Sequence, residues 1–218
     1  MTLDAAAPRL STADLRARLA AASGSIGVRR SGPGAAPGLR GDHESDPALQ
    51  PAGPLVKAAV LVPLVERGVD TTILLTRRTA HLTAHAGQIS FPGGRIEPED
   101  PSPAHGALRE AEEEIGLPPA QVELIGQLDT YITRTGFEVT PVIGLVSGPL
   151  SLKPDPFEVA EVFEVPLAFA IDPRNRERRS REFKGGMREF WAIPFGEYVI
   201  WGATAGMLVN LSEVLLRR

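Results

Sequence analysis

Cysteine is absent from the 218 residues of this chain. Its absence excludes disulfide bonds, zinc sites built from thiolates and catalytic cysteine nucleophiles. The absence also fits a reducing compartment, and we expect the protein in the cytoplasm. Hydrophobic residues make up 43% and charged residues 23% of the chain, which is ordinary for a globular protein.

Long hydrophobic segments are missing too. The longest apolar stretch, residues 58–65, contains Pro63 and is far too short to cross a membrane. The first ten residues include Asp4 and lack the apolar centre of a signal peptide. We therefore expect no membrane association.

Positive charge is not in excess either, since the formal net charge is −4. Proteins that bind nucleic acid usually carry a basic excess. We expect no nucleic-acid partner, and an acidic protein that handles phosphates needs metal ions or a local basic patch to hold them.

The first 54 residues differ in composition from the rest. Residues 11–22 predict a short helix, because Ser11 or Thr12 can accept from its first N–H groups and Leu15 and Leu19 share one face. Residues 23–54 are rich in Gly and Pro and predict a long loop. We therefore predict an extension over residues 1–54 and one domain over residues 55–218.

From residue 55 onward, strand and helix patterns alternate. Residues 55–65 and 71–76 predict a hairpin, and residues 103–115 and 204–216 predict the two main helices. Further strands are predicted at 88–91, 122–133, 138–146, 159–165, 187–193 and 198–201, with a helical turn at 166–171. This order indicates an α+β or α/β sandwich. The apolar stripe of the closing helix fits a core face or the interface of a homodimer.

The helix over residues 103–115 ends in a cluster of glutamates. Glu110 and Glu114 are four residues apart and share one face, which Glu113 flanks. Carboxylates this close repel each other unless a cation lies among them, and oxygen ligands suit Mg²⁺ or Mn²⁺, with Ca²⁺ as a third candidate. Arg109 lies four residues before Glu113, so an ion pair would orient that carboxylate.

A glutamate-rich helix end is more often a solvated face than a metal site. Two features favour the metal site here. Arg109 directly precedes the acids, and Gly116 follows them. The pair Gly93 and Gly94 lies one loop and one helix upstream, where glycine lets the backbone approach a ligand closely.

Residues 93–117 resemble the Nudix box, whose pattern is Gly, five residues, Glu, seven residues, Arg-Glu-aliphatic-x-Glu-Glu-x-Gly-aliphatic. The second half of the pattern matches at Arg109, Glu110, Ala111, Glu113, Glu114, Gly116 and Leu117. The first half is one residue longer than the pattern. Pro101 therefore stands at the position of the early glutamate, and Asp100 is the nearest acid.

Residues 74–79 and 87–94 also resemble the extended motif of the coenzyme A pyrophosphatase subfamily, in which the longer spacing occurs as well. That subfamily usually has Arg where this chain has Thr83. Arg77, Arg78 or Arg134 would then have to supply the missing positive charge.

The resemblance implies an α/β/α sandwich with a mixed sheet, and the attack of water on a diphosphate with help from Mg²⁺ or Mn²⁺ as a Lewis acid. It implies Glu110, Glu113 and Glu114 as metal ligands, the Gly94 carbonyl as a further ligand and Arg109 as the residue that orients a glutamate. The implied substrate contacts are Arg78, Gly93, Gly94 and Arg134. Candidates for the general base are Glu113, Glu158, Glu161 and Glu197. Coenzyme A or acyl-CoA would yield adenosine 3′,5′-bisphosphate and 4′-phosphopantetheine or its acyl form.

Three other functions stay open. One is a Nudix hydrolase for ADP-ribose, a dinucleotide or an oxidised nucleotide, which Thr83 favours. Another is a catalytically silent Nudix domain that binds a nucleotide or a protein; it predicts eroded box acids, whereas all of them are present here. The third is a structural protein whose acidic helix is a solvated face.

Basic, aromatic and histidine residues outside the box are of types that also contact nucleotides. The basic run over residues 174–184 would attract phosphates, although a solvated charged loop is the better interpretation. Trp191 and Trp201 lie in apolar strands and are expected in the core rather than on an adenine ring. His81 and His85 flank the upstream loop, where phosphate contact and a solvated or capping role are both open. A surface position is expected for His105.

Overall fold

The computed structural model describes residues 8–23, 40–44, 51, 53–80, 87–183 and 186–217. Within them the helices are α1 (Thr12–Ser23), α2 (Pro103–Ile115), α3 (Leu167–Ala170) and α4 (Ala203–Leu216). The strands are β1 (Arg40–Gly41), β2 (Val56–Arg67), β3 (Asp70–Arg78), β4 (Ile89–Ser90), β5 (Gly93–Arg95), β6 (Val122–Gln127), β7 (Tyr131–Ile132), β8 (Phe137–Val146), β9 (Val159–Pro166), β10 (Glu177–Phe183), β11 (Gly186–Phe195) and β12 (Tyr198–Trp201). Short 3₁₀ turns cover Asp42–Glu44, Pro119–Gln121 and Pro173–Asn175.

The described strands form one large mixed sheet and one small antiparallel sheet. The large sheet runs in the order β1-β7-β8-β2-β3-β4, while β5 pairs with β2, β6 with β8 and β9 with β3. β2 and β8 are parallel over ten residue pairs, from Val56 with Phe137 to Val65 with Val146. β2 and β3 form the predicted antiparallel hairpin. The small sheet is β10-β11-β12.

Alternation along β2 separates two hydrophobic cores. Val62 and Leu64 point into one core, and Leu61 and Val65 point into the other, all with no exposed surface. Successive side chains of a strand lie on opposite faces of its sheet. Each face must therefore be covered by a further layer, which determines the three-layer arrangement.

Helices cover both faces of the large sheet. α2 packs on one face through Ala107, Ala111 and Ile115. α4 and α1 belong to the opposite core, where Leu208, Leu211 and Leu215 of α4 have no exposed surface and Val214 is partly buried. The predicted sandwich of helices around a mixed sheet is confirmed. Because the α4 stripe is core within the chain, it offers no support for a homodimer, which stays a prediction.

The predicted N-terminal helix is present as α1 and is docked on the sheet. Leu15 and Leu19 are fully buried in the same core as α4. Arg16 donates to both carboxylate oxygens of Glu123 on β6, at 3.0 and 2.7 Å. The division of the chain after residue 54 stays a prediction, since most of residues 24–52 lies outside the described ranges.

Three local expectations were wrong. The strand expected over residues 122–133 is divided into β6 and β7. The basic run expected as a loop includes β10, which pairs with β11 in a register that sets Arg178 opposite Trp191. Charged side chains are common on such a sheet edge because they discourage pairing with other chains. Trp201, expected in the core, is 39% exposed, whereas Trp191 packs partly buried against the core.

No helix in the described part of the chain is long and apolar enough to cross a membrane. A cytoplasmic location stays a prediction.

Candidate active site

α2 begins and ends at defined residues. Ser102 has an extended backbone, and its hydroxyl accepts from the N–H of His105 at 3.4 Å. Pro103 takes the first helical position, where a missing N–H costs no hydrogen bond. Gly116 adopts the left-handed conformation at φ 66°, and its N–H donates to the Glu112 carbonyl at 2.9 Å. The helix therefore ends at Gly116, as predicted. Glycine is favoured at this position because a side chain is disfavoured in the left-handed conformation.

The acids of α2 differ in their surroundings. The side chains of Glu110 and Glu114 are 19% and 6% exposed, whereas that of Glu113 is 60% exposed. The opposite face of the helix is buried against the sheet. Helical spacing therefore predicted which residues share a face, but it did not predict that Glu114 would lie below the surface.

Glu114 is contacted by the two segments that precede α2 in sequence, residues 74–79 and residues 87–94. The N–H of Gly93 donates to Glu114 Oε2 at 3.2 Å, and Arg78 Nη1 lies 3.5 Å from Oε1. Burial is the largest of the effects that raise the pKa of Glu114 to about 7, and the charges of Glu110 and Glu158 act in the same direction. The Gly93 hydrogen bond and the Arg78 charge lower this pKa in part. A buried carboxylate with this preference for a proton is the kind of group that a bound cation stabilises.

Glu110 lies against the backbone of Gly94. A Cβ atom on Gly94 would come within 2.4 Å of Glu110 Oε1, so only glycine leaves the carboxylate in its present place. Burial raises the pKa of Glu110, the ion pair with Arg109 lowers it, and the charges of Glu113 and Glu158 raise it again. The glycine pair predicted that the backbone would approach a ligand closely. In the structure the group that lies close to the Gly94 backbone is the carboxylate of Glu110.

Arg109 holds the acids around it in a fixed arrangement. Its guanidinium donates to Glu110 at 3.1 Å, to Glu113 at 3.0 Å and to the carbonyl of Arg95 at 3.1 Å. It also donates to both oxygens of Asp100, at 3.2 and 3.0 Å. The Nudix pattern has a glutamate before the helix, and Pro101 stands at that position in this chain. The neighbouring Asp100 is the acid that pairs with Arg109 instead.

Oxygen donors on α2 fit a hard divalent ion. The carboxylates of Glu110 and Glu114 are largely buried, and burial raises the pKa of both. Keeping them ionised at this position costs free energy, which a bound cation would offset. Among the described residues, no three acids or histidines already form a group able to hold a metal ion together. Glu113, the third predicted ligand, is directed to Arg109.

Arg78 also connects α2 to an acid outside the box. Its Nη2 lies 3.8 Å from Oε2 of Glu158, which immediately precedes β9. The same guanidinium therefore faces Glu114 on one side and Glu158 on the other. Of the candidate bases outside α2, Glu158 is the one that Arg78 connects to a carboxylate of the helix.

The other sequence candidates lie elsewhere. Glu161 pairs with Arg77 at 2.9 Å and accepts from the Tyr198 hydroxyl at 2.6 Å. Glu197 is exposed on the turn between β11 and β12. The N–H of Arg134, on the turn between β7 and β8, donates to Asp42 at 2.7 Å. Thr83, His81 and His85 lie outside the described residues, and His105 is exposed as expected.

The sequence profile of the NUDIX domain matches residues 55–183, which is more than half of the chain and includes Asp100, Glu158 and the acids of α2. This chain belongs to the Nudix family. It is a Nudix hydrolase, as the box predicted, and enzymes of this family are generally dependent on divalent metal ions and act on small nucleotide-type molecules.

Relatives of this Nudix hydrolase carry the same family name. A protein of Escherichia coli strain K12 called "Uncharacterized Nudix hydrolase NudL" is 41% identical over 156 residues, which cover 72% of this chain and 81% of the relative. The protein of the same name in Shigella boydii serotype 4 is 42% identical over 156 residues, with the same coverage.

Solved structures of other Nudix proteins are also similar. An Ap4A hydrolase binary complex from C. elegans is 22% identical, with a TM-score of 0.45 over 54% of this chain and 84% of that protein. The NUDIX domain of Shewanella oneidensis NrtR, complexed with ADP ribose, is 21% identical, with a TM-score of 0.41 over 56% of this chain and 79% of that domain.

Proposed function

We propose that this Nudix hydrolase cleaves the diphosphate of coenzyme A or acyl-CoA, releasing adenosine 3′,5′-bisphosphate and 4′-phosphopantetheine or its acyl form. The observation that carries the proposal is the meeting of two segments at Glu114. Arg78 belongs to the first segment that resembles the coenzyme A pyrophosphatase motif, and Gly93 belongs to the second. Each contacts a different oxygen of the same box glutamate, at 3.5 and 3.2 Å.

The proposed cofactor is Mg²⁺ or Mn²⁺, with Glu110 and Glu114 as its ligands. Glu113 and the Gly94 carbonyl are further candidates for the same role. When bound, the ion would act as a Lewis acid and offset the negative charge that develops on the phosphate oxygens. Arg109 would keep Glu110 and Glu113 oriented through its two ion pairs, which leaves Arg109 itself without a direct part in the reaction.

Glu158 is the proposed general base, which would take a proton from the attacking water. Its charge raises the pKa of both Glu110 and Glu114, so its carboxylate is close enough to influence the acids of α2. Glu161 is occupied by Arg77 and Tyr198. Glu113 is the alternative base, although its carboxylate is already engaged in an ion pair with Arg109.

Arg78 is the proposed contact to a substrate phosphate. Its nitrogens lie 3.5 Å from Glu114 and 3.8 Å from Glu158, both longer than a strong charge-assisted hydrogen bond. Its donors therefore have capacity for a further anion. Gly93, Gly94 and Arg134 are proposed as additional contacts.

A second candidate function is hydrolysis of another diphosphate, such as ADP-ribose, a dinucleotide or an oxidised nucleotide. Thr83 favours it, because the coenzyme A subfamily usually has a cation at that position. The two functions share the acids of α2 and differ in the groups that recognise the two ends of the substrate.

The test is product-resolved hydrolysis of coenzyme A with Mg²⁺ or Mn²⁺, for the wild type, Glu114→Gln and Glu112→Gln. Glu112 is an exposed residue of the same helix and is the matched control. We expect wild type and Glu112→Gln to release adenosine 3′,5′-bisphosphate, and Glu114→Gln to lose about 100-fold or more in rate, because several kcal/mol of transition-state stabilisation depend on the metal.

Hydrolysis of ADP-ribose or a dinucleotide without cleavage of coenzyme A would reject the coenzyme A assignment in favour of the second candidate. Equal activity of Glu114→Gln and Glu112→Gln would reject the assignment of the box acids. A wild type that cleaves no diphosphate with either metal would reject the proposal.

A further inference from the structure

Thr79 is the last residue of the first segment that resembles the coenzyme A pyrophosphatase motif, residues 74–79, and it directly follows Arg78. It is buried, with 6% of its surface exposed. A polar side chain in such a place is stable when it is hydrogen-bonded. The groups that its hydroxyl and its N–H contact therefore show what this residue holds in place.

Thr79 donates two hydrogen bonds to the turn before β9. Its hydroxyl donates to the carbonyl of Phe157 at 2.8 Å, and its N–H donates to the carbonyl of Glu158 at 2.9 Å. One residue thus contacts two successive carbonyls of the segment that carries the proposed base. Because Arg78 adjoins Thr79 in the chain, the same bonds set where the backbone of Glu158 lies relative to Arg78.

The pairing of β3 with β9 is irregular next to this turn. Arg77 lies opposite Glu161, whereas Arg78 lies opposite Val159, so the register shifts between them. Irregularities of this kind interrupt the hydrogen bonds between strands and redirect side chains, often beside active sites. The bonds from Thr79 fasten the turn to the end of β3 beyond the point where the regular ladder is interrupted.

The other side of the turn is fastened to α2. The N–H of Asp155 donates to the carbonyl of Glu114 at 2.9 Å, which is one of the carbonyls that the last turn of a helix leaves unpaired. Asp155 Oδ1 accepts from the N–H of Phe157 at 2.9 Å, and the Asp155 carbonyl accepts from the N–H of Glu158 at 3.1 Å. The turn therefore joins β3 to the helix that carries the box acids.

The position of the Glu158 backbone matters because the carboxylate itself is loosely held. This side chain is 43% exposed, and its ion-pair contact with Arg78 is 3.8 Å long, which is longer than a strong charge-assisted hydrogen bond. Arg78 in turn lies 3.5 Å from Glu114. A displacement of the backbone at residue 158 would therefore carry the carboxylate away from Arg78 and from the acids of α2.

We infer that Thr79 is a positioning residue for Glu158, because its hydroxyl and N–H hold the turn that places the Glu158 carboxylate against Arg78. This inference rests on the proposed function, in which Glu158 is the general base. Thr79 needs no contact with the substrate in this role. Its loss should therefore lower kcat rather than raise KM, since a misplaced base slows proton transfer without removing a group that binds the substrate.

The experiment is a double-mutant cycle with Thr79→Val, Glu158→Gln and the two combined, measured as kcat and KM on the diphosphate that the wild type cleaves. Thr79→Val removes the hydroxyl at nearly constant size and keeps the backbone N–H, so one of the two bonds remains. Thr79→Ser keeps the hydroxyl and tests rescue. Thr71→Val is the matched control, because Thr71 is a buried threonine, 8% exposed, at the other end of β3.

Thr79→Val is expected to lower kcat about tenfold with little change in KM, which is part of the roughly 100-fold that a misplacement of about 1 Å can cost. Thr79→Ser and Thr71→Val are expected to match the wild type. In the Glu158→Gln background, Thr79→Val is expected to have no further effect, because the carboxylate through which it acts is already lost. A purely structural role would instead lower kcat by the same factor in both backgrounds.

Hydrogen exchange of backbone amides tests the same inference without catalysis. The N–H groups of Glu158 and Val159 both donate to the Asp155 carbonyl, at 3.1 and 2.8 Å. A loosened turn is expected to speed their exchange about tenfold in Thr79→Val, while Thr71→Val exchanges as the wild type does. Unchanged exchange in Thr79→Val would overturn the inference whatever the substrate proves to be.

Failure of the inference and failure of the proposed function are separable. If Glu158→Gln loses kcat and Thr79→Val does not, or if the two losses multiply in the double variant, the base assignment stands and the positioning role falls. If Glu158→Gln keeps full kcat while Thr79→Val loses it, both fall. If the wild type cleaves ADP-ribose but not coenzyme A, and the cycle on ADP-ribose is non-additive, the positioning role stands and the coenzyme A assignment falls.

Discussion

Arg109 donates to both carboxylate oxygens of Asp100, nine residues earlier in the chain, at 3.2 and 3.0 Å. The side chain of Asp100 is only 7% exposed, and its Oδ2 also accepts from the N–H of Glu97 at 2.9 Å. These bonds lower the pKa of Asp100, with the Arg109 hydrogen bond as the largest cause. Asp100 therefore fixes the arginine that in turn orients the box glutamates.

Asp100→Asn is expected to lower kcat/KM by about 10- to 100-fold, the usual cost of removing a group that orients metal ligands. The amide keeps the shape of the side chain but loses the charge that holds the guanidinium. The metal concentration that supports half-maximal activity is expected to rise as well. Steady-state kinetics with titrated Mn²⁺ measures both effects. Glu99→Gln, a charge loss at the exposed neighbouring residue, is the control and should match the wild type; an Asp100→Asn enzyme with wild-type metal dependence contradicts the role.

Gly94→Ala is expected to displace the Glu110 carboxylate, because the added Cβ would lie within 2.4 Å of Oε1. The obstructing atoms belong to the end of a flexible side chain, so we expect the fold to persist. A displacement of about 1 Å at a reacting site costs up to roughly 100-fold in rate. The measurement is kcat/KM together with the melting temperature.

Gly53→Ala is the control for this substitution, because a Cβ there meets nothing within 4 Å. Loss of activity in Gly94→Ala with a normal melting temperature agrees with the prediction. Full activity would mean that the position of Glu110 does not matter for catalysis.

Glu158→Gln tests the proposed base. A general base contributes about 100- to 10,000-fold to the rate, so we expect kcat to fall within that range while substrate binding changes little. Glu161→Gln is the comparison, because that acid lies in the same region but is bound to Arg77 and Tyr198. A larger loss in Glu161→Gln or Glu113→Gln than in Glu158→Gln would transfer the role to that residue.

Glu164 is expected to make stability depend on pH. Arg67 forms a bidentate ion pair with its carboxylate, one contact being 3.0 Å, and the Thr72 hydroxyl donates to it at 2.6 Å. The Arg67 hydrogen bond is the largest cause that lowers the pKa of Glu164. An acid whose pKa is lower when folded adds stability above its ordinary pKa, and this stability disappears as the pH falls through the lowered value.

The variant for this prediction is Glu164→Gln, measured by urea unfolding at pH 7 and at pH 3 and below. We expect a loss of about 0.5–1 kcal/mol at pH 7, small because the pair is partly exposed, and a difference that shrinks toward zero in acid. Glu197→Gln, an exposed acid on the β11–β12 turn, controls for charge removal. An equal deficit at both pH values would show that packing, rather than ionisation, accounts for the effect.

Much of the fold could be predicted from periodicity. The bounds expected for α2 and β12 are those observed, because Pro103 and Gly116 mark the ends of the helix and apolar residues mark the strand. The prediction failed where tertiary pairing decides. β10 consists mostly of charged residues and has no apolar alternation that would predict a strand. It is a strand because it pairs with β11.

The sequence by itself determined the family and the identity of the box acids, because helical spacing and the Gly–Arg–Glu pattern are local properties of the chain. The tertiary structure decided their environments. It buried Glu114 while leaving Glu113 in solvent, brought Arg78 and Glu158 to the same helix, and used Asp100 as the early acid despite the shifted spacing. Burial and ion pairing depend on residues that are distant in sequence. Such residues come into contact only when the helices pack on the sheet.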